Sequence, residues 1–116
     1  MSAMQPVLDE EIVASLLALE QPGVPSLMAQ LIEAFLQDGS DRLNSLGGAV
    51  VSRDSAAAHE AAHSLKSMSA AMGAVHMSAL CQEFEQRAFA ADVDATLAAR
   101  IEAEFARVAD ALRSLT

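Results

Sequence analysis

The sequence predicts an all-α protein, an antiparallel up-down four-helix bundle with a short additional helix at its N-terminus. Three observations lead there. Apolar residues recur at helical spacing along nearly the whole chain, β-branched residues are sparse, and turn chemistry breaks the pattern at only a few points. The 116 residues have room for one core, and a hydrophobic content of 53% is enough to fill it. No repeat, low-complexity tract or long linker interrupts the chain, so residues 1–116 read as a single domain.

A first helix over residues 9–20 opens on Asp9, whose carboxylate can accept the free amides of a first turn. It carries Ile12, Leu16 and Leu19 on one face and stops before the breaker Gln21-Pro22-Gly23. A second helix, 25–51, opens around Pro25-Ser26 and presents Leu27, Leu31, Phe35, Leu43, Leu46 and Val50. Asp38-Gly39 is a turn-like pair inside it. The apolar spacing keeps its phase across the pair, so the stretch reads as one helix with room for a kink.

Asp54 caps a third helix, 54–72, which ends before Gly73, a residue suited to the left-handed position after a helix. Its buried face is Ala58, Ala61, Leu65, Met68 and Met72. The fourth, 75–90, turns Met77, Leu80, Cys81, Phe84 and Ala88 inward. After Asp92-Val93-Asp94 the fifth, 94–115, presents Leu97, Ile101, Phe105, Val108, Leu112 and Leu115, a seam at nearly heptad spacing.

Charge and composition narrow the function. A net charge of −9 argues against general nucleic-acid binding, which needs a basic stripe, and against docking on anionic membranes. The single cysteine, Cys81, cannot form an internal disulfide and reads as a small buried apolar group in a reducing compartment. No apolar run is long enough to span a bilayer, and the acidic N-terminus does not resemble a signal peptide. A cytoplasmic, monomeric, free-standing protein is expected, opening on Met and closing on its last helix.

The third helix carries the chemistry. If Leu65, Met68 and Met72 face the core, then His63, Lys66, Ser67 and Ala70 lie on the opposite, solvent-facing side. An exposed imidazole is largely neutral near neutral pH, so one ring nitrogen has a lone pair free to attack phosphorus. Lys66, the only lysine of the chain, sits one turn further along the same face. Its flexible ammonium acts as a point charge and can hold a phosphoryl group without the bidentate grip of Arg.

The run His63-Ser64-Leu65-Lys66-Ser67-Met68-Ser69-Ala70-Ala71-Met72-Gly73-Ala74 resembles the His-x-Leu-Lys-Gly-x-Ser-x-x-x-Gly-Ala signature of histidine-containing phosphotransfer (HPt) domains. Met77, Leu80-Cys81 and Phe84-Glu85 are similar to that family's next helix, and the strong match covers roughly Asp54 to Phe89. The resemblance implies a four-helix bundle in which His63 accepts a phosphoryl group from the aspartyl-phosphate of a response-regulator receiver domain and passes it to another receiver. Hybrid histidine kinases are implied as further partners. Lys66 would stabilise the phosphoryl charge, and Gly73 would end the helix. Glu85 falls where some members place a Gln that bonds the active imidazole. A carboxylate accepting from Nδ1–H would fix the tautomer and leave Nε2 as nucleophile. The family usually has Gly where this chain has Ser67, which bears on partner range.

No Gly-rich phosphate loop and no acidic pocket for magnesium is evident, so a phosphocarrier is expected and not an autokinase. It needs no cofactor of its own, because the receiver would bring magnesium and the aspartate. Receiver contacts are expected from Ile12, Leu16 and Leu36 of the first two helices, with Ser67 and Ala70, in a modest transient interface.

Two alternatives stand beside this reading. His59-Glu60-Ala61-Ala62-His63 is a literal His-Glu-x-x-His zinc-protease motif, with Glu83 at a spacing for a third ligand. Such enzymes need a substrate cleft, usually with a strand to align the peptide, and no strand is expected here. His59 and Glu60 then read as solvated residues of an Ala-rich helix. The second alternative is a non-catalytic helical adaptor, in which a surface His beside a Lys is only a solvated pair.

Overall fold

Four of the five helices start at a side chain that closes their free amide ends. In the computed structural model, which describes residues 7–23 and 26–115, Asp9 Oδ1 accepts from the amides of Glu11 and Ile12 at 2.9 and 3.1 Å and opens α1 (Glu10–Leu17). Ser26 Oγ accepts from Ala29 N at 3.1 Å and opens α2 (Leu27–Ser52). Asp54 and Asp94 do the same for Ala57 and Leu97, both at 3.0 Å, at the heads of α3 (Ser55–Ala71) and α5 (Ala95–Arg113). Only α4 (Val75–Phe89) lacks a side-chain cap. The described residues contain five helices and no strand, and none of the helices is long and apolar enough to cross a membrane.

The helix ends use left-handed residues. Gly73, at φ +82°, follows α3, with Ala74 N–H donating to Ser69 O at 2.8 Å and Gly73 N–H to Ala70 O at 3.1 Å. That paired pattern satisfies two carbonyls of the last turn. Arg53 (φ 55°) and Ala91 (φ 66°) fill the same role after α2 and α4, without glycine's freedom.

The first two helices differ from the sequence expectation at their ends. The first stops at Leu17, three residues short of the expected 20, so Leu19 leaves the helical phase and is 54% exposed, while Val13 is the buried residue. The second starts at Leu27; Pro25 lies outside the described residues. As the unbroken apolar phase predicts, α2 runs through Asp38-Gly39 as one helix, and Gly39 is buried because the Phe105 ring lies over it. A Cβ at Gly39 would stand 2.5 Å from Phe105 Cε1.

Helices α2 to α5 pack in a closed circuit, α2 on α3, α3 on α4, α4 on α5 and α5 back on α2. The inward face of α3 is built from small residues, Ala58, Ala61 and Ala62, with Leu65 and a buried Ser69. Met28, Ile32, Phe35 and Leu46 of α2, Met77, Leu80, Cys81 and Phe84 of α4, and Leu97, Ile101, Val108 and Leu112 of α5 complete the core. Each such large side chain contributes about 1.5–3 kcal/mol on burial. The stripe of α2 is broader than expected. Met28 and Ile32 are fully enclosed, whereas Leu27 and Leu31 are half-buried at its edge.

The chain before α2 is tied to the α3–α4 turn and to the head of α2. Asp9 N–H donates to Gly73 O at 2.7 Å, which seats α1 on the α3–α4 turn. Glu20 Oε1 accepts from Met28 N at 2.7 Å and from Ser26 Oγ at 2.8 Å, closing the head of α2 from a distance. The bond from the Met28 amide, followed by the Ser26 hydroxyl, holds the Glu20 carboxyl below its ordinary range.

Candidate functional site

Glu85 of α4 is the centre of the site. It sits one turn beyond Cys81 on the inward side of its helix and is only 8% exposed. A carboxylate in such a place requires donors, and α3 supplies them. His63 Nδ1 lies 2.6 Å from Glu85 Oε2, and Lys66 Nζ lies 2.6 Å from Glu85 Oε1. The i,i+3 spacing of His63 and Lys66 brings both onto one edge of α3, facing the same carboxylate. Ser78 Oγ of α4 donates to Lys66 O at 3.1 Å and ties the two helices together beside it.

The electrostatics of this cluster fix protonation. Burial is the largest single influence on Glu85 and pushes its carboxyl up. The hydrogen bonds from Lys66 and His63, and then their charges, outweigh it together, and the net result lies below the ordinary value. An ionised carboxylate only accepts, so the proton between it and His63 belongs to Nδ1. That leaves the lone pair on Nε2, in a side chain 59% exposed. Cys81, buried behind the cluster, has its thiol pushed up to about 12, mainly by burial and then by the Glu85 charge. It stays a neutral apolar group.

The residues expected at the site divide into two sets. His63, Lys66 and Glu85 converge as described. Ser67 and Ala70 are exposed on the same side of α3. Ile12, Leu16 and Leu36 are half-buried: Ile12 packs against the α3–α4 turn at Gly73, and Leu16 and Leu36 lie against the core. Lys66 is not a free cation, since its ammonium is engaged by Glu85.

Sequence reasoning missed two features. An open groove of about 690 Å3 runs beside His63 between α2 and α3, lined by Asp38, Asp41 and Arg42 opposite Ser64, Ser67 and Met68. The only sequence signal for it is that these three charged residues sit on the polar face of α2. His59, expected to be solvated, has a side chain 37% exposed and approaches the Glu85 carboxylate. Glu83, the third residue of the zinc pattern, instead pairs with Arg87 at 2.8 Å. Among the described residues no group of three or more His, Cys, Asp or Glu is placed to hold a metal ion.

With this geometry in view, comparison with known proteins is decisive. The family model of the Hpt domain matches residues 30–111. The chain belongs to the Hpt domain family. Among solved structures it is similar to histidine-containing phosphotransfer protein B from Pseudomonas aeruginosa PAO1. The two share 33% sequence identity, over 97% of this chain and 95% of that one, with a TM-score of 0.84. No curated protein sequence matches it. Hpt proteins are phosphocarriers that interact with receiver domains and histidine kinases in phosphorelays, and this chain acts in histidine phosphotransfer within such a relay. Neither the family nor the fold supports a zinc hydrolase.

Proposed function

We propose that His63 is the phosphoacceptor of this Hpt domain, activated by Glu85 and assisted by Lys66. The observation that carries the reading is the 2.6 Å contact between His63 Nδ1 and Glu85 Oε2 on a ring more than half exposed. It leaves one nitrogen held and the other available.

The Nε2 lone pair attacks the phosphorus of a receiver's aspartyl-phosphate. The Nε2–P bond forms as the bond from phosphorus to the aspartate oxygen breaks, and the receiver keeps its carboxylate. The ring becomes a cation, with its proton still on Nδ1 and opposed by the Glu85 charge. Attack by the aspartate of the next receiver breaks the Nε2–P bond and returns the electron pair to the ring. Lys66, beside the acceptor and tethered to Glu85, offsets the dianionic phosphoryl group while it is held. Magnesium comes with the receiver. The chain is a carrier without an ATP site of its own and is not an autokinase.

The receiver meets the face formed by Ile12, Leu16 and Leu36 with Ser67 and Ala70, and Gly73 sets the turn on which that face rests. The contact is small and transient, as a shuttle requires. The circuit of α2 to α5 joined by short connections supports an antiparallel up-down bundle with α1 as the addition, forming one domain over residues 1–116. A net charge of −9 favours a monomer that binds neither nucleic acid nor anionic membrane, and the single Cys81 fits a cytoplasmic setting.

The test is labelling with a phosphorylated receiver. Wild type takes up acid-labile, base-stable label, and His63→Gln takes up none while keeping its helical circular dichroism. Label that survives in His63→Gln but disappears in His59→Gln or His76→Gln would move the acceptor elsewhere.

A further inference from the structure

His59 is the part of the His59-Glu60-Ala61-Ala62-His63 pattern that neither zinc chemistry nor the acceptor role accounts for. One helical turn before His63, it shares that residue's side of α3. Glu85 Oε2 consequently faces two imidazoles, with His63 Nδ1 at 2.6 Å and His59 Nε2 at 3.6 Å. The two rings are parallel, 6° apart in plane with centroids 6.3 Å apart. On its other flank His59 meets the Phe89 ring at 5.9 Å and 53°. Phe89 is 83% exposed, so this ring contact is one of the few it has to make.

This arrangement restricts what His59 does. A bare lone pair turned toward a carboxylate oxygen is repelled, so the form of His59 suited to the contact carries its proton on Nε2. Lys66 fixes Oε1, and whenever the half-exposed His63 ring turns away from Oε2 the carboxylate can pivot about that oxygen. The His59 N–H bounds that pivot on the Oε2 side, while Phe89 and the His63 ring limit how far His59 itself can turn. We propose that His59 is a positioning residue whose Nε2–H holds the Glu85 carboxylate where Oε2 meets His63 Nδ1, keeping the reactive Nε2 of His63 free of its proton. The proposal rests on His63 as phosphoacceptor and deepens that reading.

Three variants separate the donor from the ring. His59→Phe keeps an aromatic ring between Phe89 and His63 and removes the donor. His59→Ala removes both from a half-exposed site and carries no added bulk. His59→Gln places an amide N–H near the position of Nε2. Single-turnover phosphoryl acceptance is measured over a range of receiver concentrations, together with the 15N shifts of His63, which report the tautomer.

His59→Phe and His59→Ala should each slow the saturating rate roughly threefold, the effect of one weak, half-exposed electrostatic contact at 3.6 Å. The half-saturating receiver concentration should not change, and the 15N signature of His63 should move toward a mixture of tautomers. His59→Gln should restore both rate and signature. His59→Phe indistinguishable from wild type in rate and shifts would overturn the proposal, as would His59→Gln behaving like His59→Phe. Should label persist in His63→Gln, the acceptor assignment fails. The tautomer signature still decides, on its own, whether His59 orders the Glu85–His63 contact.

Discussion

Glu85→Gln preserves the shape of the side chain but removes its charge and one of its two acceptors. In the native protein one oxygen takes Lys66 Nζ and the other takes His63 Nδ1, both at 2.6 Å. An amide has a single carbonyl oxygen, and the ammonium claims it, because charged donors form the stronger bonds. The amide NH2 then faces Nδ1, which can accept only by giving up its proton. The proton moves to Nε2, the atom proposed to attack phosphorus. A hydrogen bond to a charged group contributes about 1.5–3 kcal/mol. His63 is 59% exposed, so water competes for its nitrogens and the lower figure applies, about 1.5 kcal/mol or roughly tenfold in rate. The assay is single-turnover transfer from a phosphorylated receiver, with 15N shifts of His63 recorded in the same variant. Glu85→Gln accepting label at the wild-type rate, with the proton still on Nδ1, would refute the tautomer argument. Loss of rate without a tautomer change would refute it too, and would point to the lost charge alone.

Further outcomes follow from the same structure. Gly39→Ala places a Cβ 2.5 Å from Phe105 Cε1, and overpacking of about 1–3 kcal/mol should exceed the gain of about 1 kcal/mol in helix propensity, so thermal denaturation should show a lower Tm. Ala91→Gly should raise the Tm, because a left-handed residue at φ 66° relieves about 1 kcal/mol of strain when its Cβ is removed. The folded Glu85 carboxyl lies below its ordinary value of 4.5, so its contribution to stability is complete above that pH and disappears as pH falls through the lower folded value. Acid titration of wild type against Glu85→Gln, followed by circular dichroism, should show the two curves converging below pH 4.5.

Much of the scaffold was legible because it depends on local rules. Asp9, Asp54 and Asp94 precede apolar runs and accept the amides that such positions leave free. Gly73 follows the last residue of a periodic stretch and adopts the backbone angle that favours glycine. What stayed hidden depends on partners distant in sequence. Gly39 looked like half of a turn because nothing nearby shows that Phe105 will need the space of its missing side chain. Glu104 reads as a solvated acid, yet it is 2% exposed, with Arg107 folded back on it at 2.9 Å. His59 looked solvated because its relation to Glu85 exists only once α4 is packed on α3. His63 and Lys66 could be placed side by side from one helix. The groove lined by Asp38, Asp41 and Arg42 required two.

The His63 imidazole stands on α3, but its anchor comes from α4, and the backbone at Lys66 is held by Ser78 of that same helix. The chemistry is therefore mounted across a seam. Under the proposed mechanism, loosening that seam at Leu65 or Cys81 beneath it should slow transfer as well as lower the Tm. Transfer rate should then serve as a gauge of how tightly one hairpin is closed.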